Sequence, residues 1–146
     1  STDLVQLSLN TPLLATSGAH STLLEQHAAE LGVDMTQQIV DLFVNTVPAI
    51  LAQAGQEAHL GNMSRVVRAA HRMKSSATTI GLTSLATLAA AIESTATTKD
   101  QGRVKLLLAE LQQQLPAAIA NLKMLWSQVR SQQTRLNHPD KESLAL

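Results

Sequence analysis

The chain has 146 residues, eleven basic and eleven acidic side chains, a formal net charge of zero and no cysteine. This length fits one domain. The lack of cysteine excludes disulfides, thiolate chemistry and zinc sites with sulfur ligands, and the balanced charge argues against a general nucleic-acid binder, which would be basic. Leu and Ala fill 45 positions, whereas Phe43 and Trp126 are the only aromatic residues, a composition that favours helices over a β-sandwich.

Turn residues divide the chain into segments with helical apolar periodicity. Helix ends and connections are expected at Gly18, Gly32, Gly61, Gly81 and the stretch 97–102, which fall between these segments. The predicted helical segments are 3–31, broken near Gly18, then 35–59, 63–80, 84–96 and 101–135. The predicted N-caps are Asp34, Asn62, Thr83 and Asp100.

The expected fold is all-α, an antiparallel up-down four-helix bundle with an additional N-terminal helical segment. The expected organisation is an N-terminal extension over 1–20, the bundle over 21–135 and a flexible tail over 136–146. No segment reaches the roughly 18 apolar residues of a membrane helix, and the first ten residues lack the basic start of a secretory signal. We therefore expect a location in the cytoplasm without membrane contact by this domain. Because the sequence shows no β-hairpin or exposed apolar stripe, we also expect a monomer.

The segment 62–80 combines a core-facing stripe with an exposed histidine. The stripe repeats every three or four residues and consists of Val66, Ala70, Met73, Ala77 and Ile80. Advancing about 100° per residue places His71 on the opposite, solvent-facing side. The expected neighbours of His71 on that surface are Ser64, Val67, Arg68, Lys74, Ser75 and Thr78.

Positive charge is concentrated around His71. Between Ala58 and Ile92 there is no acidic residue, and the four cations are Arg65, Arg68, Arg72 and Lys74. Such cations can form an ordinary solvated helix face, but the small residues 75–79 beside them also suit the close approach of another protein.

This surface is suited to phosphoryl transfer to nitrogen. A histidine side chain has an ordinary pKa of about 6.5, so near pH 7 it is mostly neutral and carries a nucleophilic lone pair. Arg68 and Lys74 lie one turn away on either side and can offset the negative charge of a phosphoryl group.

The residues around His71 resemble the signature of histidine-containing phosphotransfer (HPt) domains. In that signature, as in Ala70–Ser76 here, the histidine is followed three positions later by Lys and then by small residues up to a Gly, here Gly81. The resemblance covers about residues 21–125, including Leu31–Asp34, Phe43, Asn62, Leu85, Leu88, Ala89, Ile92 and Glu93. One departure is Ser75, which occupies the position after the lysine where the family usually has Gly.

The resemblance implies that His71 accepts a phosphoryl group from an aspartyl phosphate on a response-regulator receiver domain and passes it to another receiver. Lys74 would steady the phosphoryl group, Arg68 and Arg72 would steer the acidic partner, and Val67 would give an apolar contact. Ser64, Ser75 and Thr78 would complete the surroundings. The Ser75 hydroxyl would donate either to the phosphoryl group or to the His71 carbonyl.

The chain has no nucleotide motif, phosphate-binding loop or paired aspartates for magnesium, so we expect no kinase activity and no cofactor of its own. Magnesium would belong to the receiver. The start at Ser1 and the N-terminal extension favour a domain of a hybrid sensor histidine kinase over a free-standing relay protein. The expected location in the cytoplasm is then either free or at the cytoplasmic end of a membrane-bound sensor kinase.

Two alternatives remain open at this stage: a structural or dimerising adaptor bundle, and a bundle that binds a ligand or metal between its helices. No histidine pair has metal-ligand spacing with an acidic companion, so no metal site is expected. Glu93 is interpreted as a structural partner of a basic residue. Met73 and Met124 are predicted to fill gaps in the core.

Overall fold

The computed structural model describes residues 22–137, which form five helices and no strand within that range. The helices are α1 (22–31), α2 (Val33–His59), α3 (Met63–Ile80), α4 (Thr83–Thr97) and α5 (Gln101–Asn137). The expectations for residues 1–20 and for the tail beyond 137 lie outside the described residues. None of the helices in 22–137 is both long and apolar enough to cross a membrane.

The four longer helices form a bundle in which α3 packs against α2 and α4, while α5 packs against the same two helices. This arrangement confirms the predicted all-α bundle. The predicted stripe of α3 is buried in full, because a repeat of three and four residues keeps these side chains on one side of the helix. The solvent-facing side of α3 is thereby left for His71.

The turn between α3 and α4 determines which residues of the two helices face each other. Gly81 has a left-handed backbone with φ of 84°, a conformation that glycine adopts without strain. The N–H of Gly81 donates to Thr78 at 3.2 Å and that of Leu82 to Ala77 at 2.8 Å, the pair of bonds that closes a Schellman motif. The chain therefore reverses tightly, and α4 returns alongside α3.

Two of the four predicted N-caps lie at the predicted place. The Asp100 carboxylate accepts the Arg103 N–H at 3.1 Å, which confirms it as the cap of α5. Asn62 occupies the N-cap position of α3, but its side chain makes no cap bond there. It donates instead to the Glu57 carboxylate at 2.7 Å and so ties α3 to the end of α2.

The other two predicted N-caps are wrong by one or two residues. The cap positions belong to Gly32 and Leu82. Asp34 lies inside the first turn of α2, where its negative charge interacts favourably with the helix dipole. Thr83 is the first residue of α4, because the turn at Gly81 leads directly into that helix.

The long helix α5 is joined to the start of α2 by Trp126. This side chain is buried, and its indole N–H donates to the Gln37 side-chain oxygen at 2.6 Å. Met73 is buried as predicted, but the prediction for Met124 is wrong, since this side chain is 54% exposed. Met124 precedes the buried Leu125 and Trp126 by one and two positions, which places it on the outer side of α5.

The helix α1 lies across the end of the bundle where α3 terminates. Leu24 and Ala28 are buried, and the His27 Nε2 atom is 2.8 Å from the Thr79 carbonyl oxygen. A helix leaves its last carbonyls without intrahelical partners. His27 thus satisfies one of them and fixes α1 to the end of α3.

Candidate functional site

The side chains of α3 and α4 meet at a carboxylate. Glu93 of α4 has one oxygen 2.9 Å from Nδ1 of His71 and the other 2.8 Å from Nζ of Lys74. The His71 side chain is 62% exposed, and those of Lys74 and Glu93 are 35% and 23% exposed. The carboxylate therefore bridges the two residues that the sequence predicts at the centre of the site.

The local structure explains this meeting. His71 and Lys74 are three positions apart on α3 and thus neighbours on its surface. His71 and Glu93 lie at similar distances along the chain from the turn at Gly81, so the antiparallel hairpin brings them to the same level. Each side chain is held by a regular helix, which positions functional groups more accurately than a loop does.

The charge of Glu93 determines which nitrogen of His71 is free. The pKa of Glu93 lies below its ordinary value, mainly because Lys74 donates a hydrogen bond to it and also because His71 does, while partial desolvation opposes the shift. The carboxylate is consequently ionised near neutral pH and can only accept. Nδ1 of His71 must then carry the proton, and the lone pair is on Nε2, the nitrogen that Glu93 does not engage.

Glu93 belongs to the site, but the sequence did not predict it there. The interpretation that it pairs with a basic residue is right, but one of its two partners is the exposed histidine itself. A signal was present in the sequence. Glu93 is the only charged residue of α4 and the first acid after the long acid-free segment that begins at Ala58.

The arginines of α3 differ in whether they form an ion pair. Arg65 forms an ion pair with Glu57 of α2 at 3.3 Å. The pKa of Glu57 is lowered, first by the hydrogen bond from Asn62 and then by Arg65, against partial desolvation. Arg68 and Arg72 are exposed and form no ion pair within residues 22–137. They remain available to an acidic partner.

Five of the predicted site residues line one of two grooves, whereas Lys74 and Thr78 line neither. Arg72 and Ser75 line a groove of about 330 Å³ between α2 and α3, together with Leu42 and Phe43. A second groove of about 560 Å³ lies between α3 and α4. It is lined by Met63, Ser64, Val67, Arg68, Ala96, Thr97 and Lys99. Arg68 and Arg72 also line a third groove, of about 390 Å³, together with Glu57 and Arg65.

Ser75 and Thr78 differ in the hydrogen bonds that their hydroxyl groups make. The Thr78 hydroxyl donates to the Lys74 carbonyl at 2.8 Å, so it is engaged by its own helix. Within the described chain, the Ser75 hydroxyl makes no hydrogen bond to the His71 carbonyl, and its side chain is exposed.

The described residues contain no group of three or more His, Asp or Glu side chains that could hold a metal ion. His27 is engaged by the end of α3. His59 is the last residue of α2, where a cation interacts favourably with the helix dipole. Among the histidines of the described chain, His71 is the one whose imidazole is paired with a carboxylate.

One family of known proteins matches most of the described chain. Residues 38–132 match the family model described as Hpt domain, a range that includes most of α2, all of α3 and α4 and most of α5. No curated protein and no solved structure gives a significant match to the chain. Because the family match covers more than half of the chain, the protein belongs to the Hpt domain family, whose members are phosphotransfer modules of phosphorelay signalling that interact with receiver domains and have no kinase activity.

Proposed function

We propose that His71 is the phosphorylated residue, that it accepts a phosphoryl group from an aspartyl phosphate of one receiver domain, and that it passes the group to the aspartate of another. The observation that carries the proposal is the Glu93 bridge. It holds Nδ1 of an exposed imidazole at 2.9 Å and leaves the lone pair of Nε2 directed to solvent.

The transfer follows from this geometry. Nε2 attacks phosphorus in line with the aspartyl oxygen, so a P–N bond forms while the P–O bond breaks and the aspartate leaves as a carboxylate. The imidazole becomes positively charged while Nδ1 keeps its proton. The ionised Glu93 stabilises that developing charge, in the way that a buried carboxylate stabilises an imidazolium in acid–base sites.

In the proposed transfer, Lys74 has a second role besides its contact with Glu93. Its ammonium group is held at 2.8 Å from Glu93, one turn beyond His71. From there it can contact oxygens of the transferred phosphoryl group by charge-assisted hydrogen bonds. Arg68, one turn before His71, lies on the opposite side of the same site.

The domain itself contributes positioning and charge. Arg68 and Arg72 attract the acidic surface around a receiver aspartate and so raise the rate of encounter. We assign the magnesium ion to the receiver and no cofactor to this chain. Because the same groups serve both directions, we expect transfer to be reversible.

The test is intact-mass spectrometry of the protein after mixing with a panel of receiver domains charged by acetyl phosphate. We expect an acid-labile gain of one phosphoryl group, absent in His71→Gln, whose fold is verified by circular dichroism. Two-dimensional ¹H–¹⁵N NMR of the product should place the group on Nε2. A folded wild-type protein that gains nothing from any receiver would leave the structural adaptor bundle as the better explanation, and a group on Nδ1 would contradict the role of Glu93.

A further inference from the structure

The groove between α3 and α4 continues the site beyond His71. We call it the Lys99 groove. Its floor is apolar and consists of Met63, Val67 and Ala96, while Arg68 and Lys99 stand at its rim. Val67 lies one turn before His71, and Thr97 lies one turn after Glu93, to whose carbonyl its hydroxyl donates at 2.8 Å. The groove thus begins beside the His71–Glu93 pair.

Lys99 occupies a backbone position that normally belongs to glycine. The three other connections between the helices each contain a glycine with positive φ: Gly32, Gly61 and Gly81. In the connection between α4 and α5 the residue is Lys99, with φ of 62°, the one non-glycine residue of the described chain in this conformation. A side chain is unfavourable there, so the backbone gives no reason for a lysine.

The charges of the Lys99 groove are unbalanced. Neither Lys99 nor Arg68 has an ion-pair partner among residues 22–137, and no acidic side chain lines the groove. Lysine near a helix end does interact favourably with the dipole of α4. That interaction would not require Lys99 to line a groove together with Arg68 and apolar side chains.

We propose that the Lys99 groove binds an acidic segment of the receiver domain while its aspartate faces His71, and that Lys99 and Arg68 thereby select among receivers. This inference rests on the proposed function. The occupant follows from charge complementarity: two unpaired cations above apolar side chains fit a segment that carries both carboxylates and an apolar side chain. The groove adjoins the phosphoryl site, so one partner can occupy both.

The test is the kinetics of phosphotransfer from a receiver domain that the mass-spectrometry panel has shown to charge the wild-type protein. The transfer rate is measured against receiver concentration to give KM and the maximal rate. For Lys99→Gly we expect KM to rise about threefold with the same maximal rate, since one exposed ion pair is lost. For Lys99→Glu we expect a rise of about tenfold, because repulsion replaces attraction.

The controls separate docking from folding and from overall charge. Lys99→Gly should melt at the same or a higher temperature than the wild type, because glycine suits the φ of 62°. Lys123→Glu changes the net charge by the same amount as Lys99→Glu at an exposed position of α5, and its KM should stay close to the wild-type value. The difference between wild type and Lys99→Glu should shrink at high salt.

Each outcome decides the matter. Unchanged KM in both Lys99 variants, with transfer in the wild type intact, overturns this inference and leaves the proposed function standing. A melting temperature that falls in Lys99→Gly while KM stays the same would overturn the docking role and show that Lys99 only stabilises α4 through the helix dipole. If the wild type accepts no phosphoryl group from any receiver, the proposed function fails, and this inference fails with it.

Discussion

Two carboxylates face α3 from opposite sides, and they differ in what their partners can do. Glu57 of α2 binds Arg65 and Asn62, while Glu93 of α4 binds His71 and Lys74. Both carboxyl groups have a lowered pKa because they accept hydrogen bonds. A guanidinium group is not a nucleophile, so the pair of Glu57 and Arg65 joins helices. An imidazole is a nucleophile, so in the proposed function the same arrangement on the other side creates a reactive group.

The comparison teaches that a hydrogen-bonded carboxylate is not in itself a sign of function. The side of α3 that faces α2 uses its carboxylate to hold the start of α3. The side that faces α4 uses its carboxylate to orient an exposed ring and to hold a lysine beside it.

Glu93→Gln should slow phosphotransfer to His71 most strongly. The glutamine oxygen can still accept from Nδ1, but the negative charge that stabilises the phosphorylated ring is lost. A hydrogen bond to a charged group contributes about 2 kcal/mol, so we expect about a 30-fold lower rate at saturating receiver. Rapid-quench measurement provides the rate. An unchanged rate would show that Glu93 is as structural as Glu57.

Lys74→Met should have the next largest effect. The substitution removes the donor that lowers the pKa of Glu93 most and the cation proposed to contact the phosphoryl group. We expect about a fivefold lower transfer rate, in keeping with the loss of one partly exposed ion pair. Lys123→Met is the matched control on α5. Equal rates in the two variants would exclude Lys74 from the site.

Glu57→Gln should leave phosphotransfer close to the wild-type rate and lower the thermal stability slightly. The variant removes the ion pair with Arg65, whose side chain is 62% exposed, and an ion pair with one exposed partner contributes little. Differential scanning calorimetry measures the thermal stability of the variant, and the phosphotransfer assay measures its transfer rate. A rate that falls as much as in Glu93→Gln would abolish the distinction between the two sides of α3.

The stability difference between wild type and Glu57→Gln should depend on pH in a defined direction. The pKa of Glu57 in the folded protein lies below its ordinary value of 4.5. Its ionised form therefore stabilises the fold above that ordinary value, and the stabilisation is lost as the pH falls through the folded-state pKa. Urea unfolding should show a constant difference from pH 7 to about 5 and a shrinking one below about 4.5.

Much of α3 could be predicted because its pattern is local. The spacing of Val66, Ala70 and Met73 predicts a buried stripe, and the structure confirms it. The exposure of His71 on the opposite side follows from the same 3.6-residue period. The pairing of Arg65 with Glu57 and of Glu93 with His71 could not be read in this way, because each crosses from one helix to another.

The helix caps and turns could likewise be predicted only where neighbouring residues determine them. Asp100 is a cap because its bond to Arg103 spans three residues, and the sequence predicts it. Thr83 and Asp34 were assigned as caps from residue type alone, but the position of a cap depends on where packing and the preceding turn start the helix. The left-handed backbone of Lys99 gave no signal, since residue type would have predicted glycine at that position.

The amino-acid sequence by itself determined the helical class, the core stripe of α3, the exposed histidine and the concentration of cations around it. These properties depend on residues three or four positions apart, whose geometry any helix imposes. Only the tertiary structure decided that Glu93 binds His71 and Lys74, that Arg65 is engaged while Arg68 and Arg72 remain unpaired in the described chain, and that Lys99 borders a groove beside the site. These contacts join residues far apart in sequence, and their partners are selected by how the helices pack.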